Sequence, residues 1–586
     1  MNTAARNGNK GSKLVTLVAL FGALAIASAA LIQADRHDAR TSYIIQGSSL
    51  DDVRSLVARA GGEITHELGV IRAVAAELTA DELAALRITR GIRRIYANDT
   101  VETAGKPGGG GGGGKTTTGS SDVLETYYPT QAGAKDVHGS GIDGSGVTIA
   151  VLDTGLWKHA GIRYTPAGGE RIKAVYDAIT DSVSSSPTSG SDPGGHGTHV
   201  ASVAVSSRIT PEGNYNGVAP GASLVSVRAF GDHGQGTYAN VIRAIDWVVA
   251  NKDTYGIRVL NLSFSAEPRS YYWDDPINQA VMAAWQSDIV VVAAAGNRGP
   301  DPMTIGVPGN VPYVITVGAL SDNYTPDDYS DDKLASFSST GPTVEGFVKP
   351  EVLAPGGHML GLMDPNSTLA QEYPNFFVAE KYYFEMSGTS QATGVVSGVA
   401  ALILQADPTL TADAVKCRIM ASARVALTGK GGNQSLAYSV YQQGAGLVDV
   451  FRAITNQETA CANQGLDIDA DVAGTMHFGG PANQQLDGSY YLRGNLSSRE
   501  TGYTWDGTYD GTGHTWTKGY LWTDGYLWTD AYLWTDGLGV SGFLWTDGYL
   551  WTDGYLWTDA YLWTDGYLWT DTLTEMTSMS SWVDPE

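Results

Sequence analysis

Apolar positions follow three rhythms along this chain. Residues 42–103 alternate short apolar runs with helical spacing: "SYIIQ" predicts a strand, "SLDDVRSLVARAGG" a capped helix ended by glycine, and "EITHEL" and "VIRAVAAEL" two strands. "TADELAALRIT" predicts a second helix, with Thr79 as cap and Glu82 three residues on, and "GIRRIYAND" a last strand. The order βαββαβ is that of a split βαβ sandwich. Residues 122–453 have another rhythm. "VTIAVLDTG", "SLVSVRAF", "RVLNLSFS", "IVVVAAAGN" and "YVITVGAL" are β-branched runs too apolar to alternate, with helical patterns such as "YANVIRAIDWVVANK" between them. Strands apolar on both faces and separated by helices predict an α/β domain around a buried parallel sheet flanked by helices. The third rhythm is a hexapeptide: eight LWTD units recur between Leu521 and Asp571, mostly as "YLWTDG".

The segments between these regions complete the division. Arg6, Lys10 and Lys13 precede an apolar stretch at residues 14–32 that contains Ala27-Ser28-Ala29, the pattern of an export signal; an uncleaved membrane anchor is the competing reading. Seven consecutive glycines in "GKPGGGGGGGKTTTGSS" make a flexible linker. The chain therefore reads as a leader (1–34), a small βαββαβ unit (42–103), a linker (104–121), an α/β domain (122–453), a polar Gly-rich connector (454–512) without a clear period and a repeat tail (513–586) that is β-rich or disordered.

Composition narrows the partners. With 37 Lys plus Arg against 62 Asp plus Glu, the 586-residue chain carries a net charge of −25, which repels nucleic acid and anionic membranes. For the two cysteines, Cys417 and Cys461, two readings stay open: a disulfide, which export permits, or two reduced buried thiols.

Three short motifs bring chemistry to the α/β domain. "VTIAVLDTG" puts Asp153 at a strand end, "GGHGTHVAS" puts His196 at a helix start, and "MSGTSQATG" puts Ser390 at another. Strand ends and helix starts face one rim of a parallel sheet, where ligands bind. A serine hydroxyl needs a base to take its proton, and the base needs a carboxylate to fix its tautomer. Singly, each motif has a plainer reading: a turn, a structural histidine pair, a helix cap. Together, in the order Asp, His, Ser, they form a complete nucleophilic set.

On these motifs residues 42 to about 453 resemble the subtilases, the subtilisin-like serine peptidases of family S8. The resemblance implies Asp153 as orienting carboxylate, His196 as general base, Ser390 as nucleophile and His199 as a structural histidine. "VVAAAGNRG" is similar to the family's oxyanion segment, which implies Asn297 as a donor to the tetrahedral oxyanion. "GQGTY", with Gly234 and Gly236, and "NLSFS", with Ser263 and Ser265, look like edges that flank an extended peptide, while Ala293, Ala294, Ala295 and Gly296 would wall the pocket for the residue before the cut.

There are departures from the family pattern. Gln391 replaces a common Met, Gly394 replaces a common Pro, and Ser265 stands where glycine is usual, which would narrow that pocket. The metal-binding residues are unknown: no cofactor is required, and calcium stays a possible ligand without support in "SSRITPEGNYNG". The resemblance implies a secreted, extracellular endopeptidase made as a zymogen, acting on polypeptides, with residues 42–103 as intramolecular inhibitor. The rival is an inactive fold used as an adhesin. The tail's aromatic ladder suits glycan or surface contact, against the reading of a disordered or self-associating tail.

Overall fold

A computed structural model describes residues 39–103, 124–188, 190–326, 328, 331–378, 382–428, 435–493, 501–509 and 515–516. The leader, the linker and all but two residues of the repeat tail lie outside the described residues, and so do the expectations for them. No described helix is long and apolar enough to cross a membrane. The chain divides into two compact units, residues 1–98 and 99–586.

In the first unit β1 (Thr41–Gly47), β2 (Glu63–Leu68), β3 (Ala73–Leu78) and β4 (Ile92–Ala97) form an antiparallel sheet in the order β2-β3-β1-β4. Helix α1 (Leu50–Ala60) starts at Ser49, whose side chain accepts from the Asp52 N–H, and stops at left-handed Gly61. Helix α2 (Ala80–Arg87) has the expected Thr79–Glu82 capping box. Both helices bury their apolar stripe on one sheet face, where Ile45, Val53, Val57, Val74, Leu78 and Leu86 meet. The chain does not run on as one strand from β4. Residues Thr100–Thr103 form a separate strand, β5, that belongs to the second unit.

The second unit is built on a largely parallel sheet: β6 (Thr148–Asp153), β7 (Ile172–Asp177), β8 (Ser182–Ser184), β9 (Ser223–Arg228), β11 (Ile257–Leu262), β13 (Val290–Ala294), β14 (Ile315–Ser321), β15 (Lys333–Leu334) and β16 (Val352–Pro355). The short strands β10 (Gln235–Thr237) and β12 (Phe264–Ser265) stand apart from it and pair with β5. The order of the large sheet is β15-β14-β13-β11-β6-β9-β7-β8, with β16 also on β14. β6 enters at the middle; β7 and β9 then fill one side, and β11, β13 and β14 the other. The order reverses beside β6, so the crevice at its carboxyl end is the binding position of such a sheet. β6, β13 and β14 are buried along their whole length, as their unbroken apolar runs predict.

The main helices of this unit are α3 (His196–Val205), α4 (Tyr238–Tyr255), α5 (Pro276–Gln286) and α6 (Thr389–Ala406). Of these α6 is almost wholly buried, and Gly394 in it lies against the Val200 carbonyl of α3. A glycine in place of the usual Pro thus lets the two helices approach closely.

Residues 454–512, expected to lack a period, contain a short helix (Ile468–Ala473) and a three-stranded sheet (Ala482–Gln484, Tyr490–Arg493, Thr501–Trp505). Cys417 and Cys461 are joined in a disulfide, which settles the two open readings and ties this segment to the helix Ala412–Ser422.

One buried carboxylate opposes the fold. Asp332 is 1% exposed, and among the described residues neither of its oxygens has a hydrogen-bond partner. Burial, with Asp322 and Asp331 nearby, pushes its pKa up to about 7. A carboxyl raised from an unfolded value near ~3.9 contributes its full stability below that pH and loses it as pH rises to about 7. Asp332→Asn in a Ser390→Ala background should therefore raise stability at pH 8 by roughly 1–3 kcal/mol and change little at pH 4. Thermal unfolding at both pH values checks this; an equal gain at both would remove the argument.

Candidate active site

Asp153 is the last residue of β6 and is wholly buried. His196 is the first residue of α3 and 1% exposed. The two meet because Gly197 sits against Asp153 and the Gly155 carbonyl, where any Cβ would collide. His196 Nδ1 lies 2.7 Å from Asp153 Oδ1, and the same oxygen accepts the Thr154 N–H at 2.8 Å. A proton on Nδ1 serves that bond and leaves Nε2 as the basic nitrogen.

Ser390 is the second residue of α6, and the cap position belongs to Gly388, so the serine is not a helix cap. An N–H at the second helical position has no intrahelical acceptor, which makes the Ser390 N–H an available donor. Its hydroxyl donates to the Ser263 carbonyl at 3.1 Å, and the Ser263 hydroxyl donates back to the Ser390 carbonyl at 3.1 Å. Asn297 follows β13 and is 9% exposed. Its Oδ1 accepts both the Thr389 N–H and the Thr389 hydroxyl at 2.9 Å, so the amide turns its Nδ2 end away from Thr389. Sequence reasoning missed Thr389; its only signal was its place next to Ser390.

His199 is a buried structural imidazole. Its Nε2 is 3.0 Å from the Phe384 carbonyl and 3.2 Å from that of Met359, and burial pushes its pKa down to about 4. Gln391 Nε2 stands 3.5 Å from its Nδ1.

Strand β5 lies between β10 and β12, antiparallel to both. Glu102 pairs with Gln235 and Ser265, Val101 with Gly236, and the Thr103 N–H donates to the Gly234 carbonyl at 2.9 Å. Gly234 has φ +74°, and a Cβ there would strike the Thr103 hydroxyl. The two expected edges thus hold an extended segment of the same chain by backbone pairing. Ala293 and Ala294 are interior strand residues, while Ala295 and Gly296 run past the sheet end. The Ser265 hydroxyl stands over this turn: a Cβ on Gly296 would lie 2.9 Å from it. Among the described residues no group of three or more His, Cys, Asp or Glu is arranged to hold a metal.

The subtilase family matches residues 144–448, just over half of the chain and the whole sheet from β6 to β16. The chain belongs to the subtilase family. Serine protease AprX of Bacillus subtilis (strain 168) is 42% identical to this subtilase over 290 residues, 48% of this chain and 63% of AprX. Subtilisin DY of Bacillus licheniformis is 34% identical over 292 residues, 50% of this chain and 88% of that protein. The match thus spans less than two thirds of AprX but most of Subtilisin DY. Among solved structures, fervidolysin from Fervidobacterium pennivorans, described as a keratinolytic enzyme related to subtilisin, has a TM-score of 0.53 and 22% identity. It covers 71% of this subtilase and 61% of its own chain, a likeness of fold.

Proposed function

We propose that this subtilase is a serine endopeptidase, exported as a zymogen, that cleaves polypeptides through an acyl-enzyme on Ser390. The observation that carries the reading is the 2.7 Å contact from His196 Nδ1 to a buried Asp153, which fixes the tautomer a base needs. In the reaction the Ser390 hydroxyl would leave the Ser263 carbonyl and give its proton to His196 Nε2. Attack on a peptide carbonyl would place the oxyanion between the Ser390 N–H and Asn297 Nδ2. His196 would then protonate the leaving amine, and water would release the acyl group by the same steps. No metal or cofactor is needed for any of these steps. The N-terminal leader pattern and the Cys417–Cys461 disulfide support export to an oxidising, extracellular compartment. Residues 42–103 would inhibit the enzyme intramolecularly until removed.

The test is a fluorophosphonate probe with a peptide-bond assay. Labelling confined to Ser390, and loss of both label and turnover in Ser390→Ala with an unchanged fold, are expected. Turnover by the Ser390→Ala protein would sink the assignment, and an unlabelled wild type would favour the inactive adhesin. Specificity has its own expected result. Ser265 adds a hydroxymethyl group beside Gly296, so Ser265→Gly should shift preference before the cut toward bulkier aromatic residues. An unchanged ranking across a peptide library would remove that role.

A further inference from the structure

Asp192 lies four residues before His196 and is 4% exposed. Its Oδ1 accepts the Thr154 hydroxyl at 2.6 Å and the Gly195 N–H at 2.8 Å. Its Oδ2 accepts the Thr198 N–H at 2.8 Å and also the Thr198 hydroxyl. Four donors on two oxygens use the whole accepting capacity of a carboxylate. These donors come from two places. Thr154 follows Asp153 at the end of β6, while Gly195 and Thr198 flank His196 in the first turn of α3. The Thr154 hydroxyl, held by Asp192, also accepts the Gly197 N–H at 2.9 Å, and the Thr198 hydroxyl accepts the Trp157 N–H at 2.8 Å.

The start of α3 needs such help. Its cap residue is Gly195, which has no side chain to offer its orphan N–H groups. Asp192 and Thr154 together take the N–H groups of Gly195, Gly197 and Thr198. A helix held only by capping would need no link to the strand. Here one carboxylate ties the strand end that carries Asp153 to the turn that carries His196.

We propose that Asp192 is a positioning residue for the Asp153–His196 pair: bridging Thr154 to the start of α3, it sets the separation and alignment on which base catalysis depends. It touches no substrate and acts through the pair. The inference rests on the reading of Ser390 as nucleophile and His196 as base.

The experiment uses the full chain with wild type, Asp192→Asn, Thr198→Val and Thr198→Ser. Active sites are titrated with a fluorophosphonate, and kcat and KM are measured per titrated site. The Asn amide places an N–H against a donor, so Asp192→Asn should lower kcat about 10²-fold, the scale of a misplacement near 1 Å, with KM within about threefold. Thr198→Val, which removes one donor, should lower kcat by about 10-fold, and Thr198→Ser should recover most of it. A role limited to capping predicts something else: fewer titratable sites and a lower unfolding temperature, with kcat per site unchanged in both Asp192→Asn and Thr198→Val. That outcome would overturn the proposal. If Asp192→Asn does not fold, the Thr198 pair decides alone. The reading of the site fails separately, if wild type shows no Ser390-dependent turnover.

Discussion

Wild-type protein is expected to acquire a new N-terminus within a few residues after Thr103, while purified Ser390→Ala protein keeps residues 42–103 attached. The position comes from strand register. β5 runs antiparallel to β12, with Thr103 opposite Phe264 and Glu102 opposite Ser265. Thr103 is the last described residue of β5, and Ser263, whose carbonyl holds the Ser390 hydroxyl at 3.1 Å, directly precedes Phe264 of β12. The cut is therefore expected within a few residues after Thr103. The glycine run at 108–114 follows in the sequence. A Gly-rich sequence of about 17 residues would, as a random coil, span roughly 20–25 Å, enough for a new end to leave. N-terminal sequencing of both proteins, made in a host without other proteases, decides the matter. Loss of residues 42–103 from the Ser390→Ala protein would show that another enzyme does the cutting. A wild-type N-terminus far into the linker would show that the register does not set the site.

Asn297→Ala should lower kcat by roughly 10² to 10³, the cost measured in a subtilisin for losing such a donor, with little change in KM. The direction rests on how the amide is held. Thr389 donates twice to Oδ1, so the amide cannot turn over without losing two bonds of 2.9 Å. Its Nδ2 end is therefore held pointing away from Thr389 before substrate arrives, and a preorganised donor costs no reorganisation in the transition state. Thr389→Val should give a smaller loss, because it removes one of the two bonds and loosens the amide. Steady-state kinetics per titrated site measures both. A change in KM alone would mean that Asn297 contacts the ground state and is no oxyanion donor.

The reach of the sequence differs between the two units and within the site. β6, β9, β11, β13 and β14 were legible because buried parallel strands need apolar side chains on both faces, and the Thr79–Glu82 box because capping is local. The segment 454–512 was not. Its strands are short and its fold is pinned by the Cys417–Cys461 bond, a contact 44 residues apart that spacing alone does not reveal.

By itself the sequence determined which groups are present: an Asp at a strand end, a His and a Ser at helix starts, and an Asn after a glycine turn. Each is a short-range pattern, set by what a strand end or a helix start requires of neighbouring residues. Only the tertiary structure decided how those groups are oriented. That His196 presents Nδ1 to Asp153 depends on Gly197 meeting Gly155 across 42 residues of chain, and the set of the Asn297 amide depends on Thr389, 92 residues away. The carboxylate of Asp192 joins a strand end to a helix start in the same way. Hydrogen-bond geometry is sensitive to a few tenths of an ångström, and such distances are fixed by packing of the whole sheet rather than by local propensity.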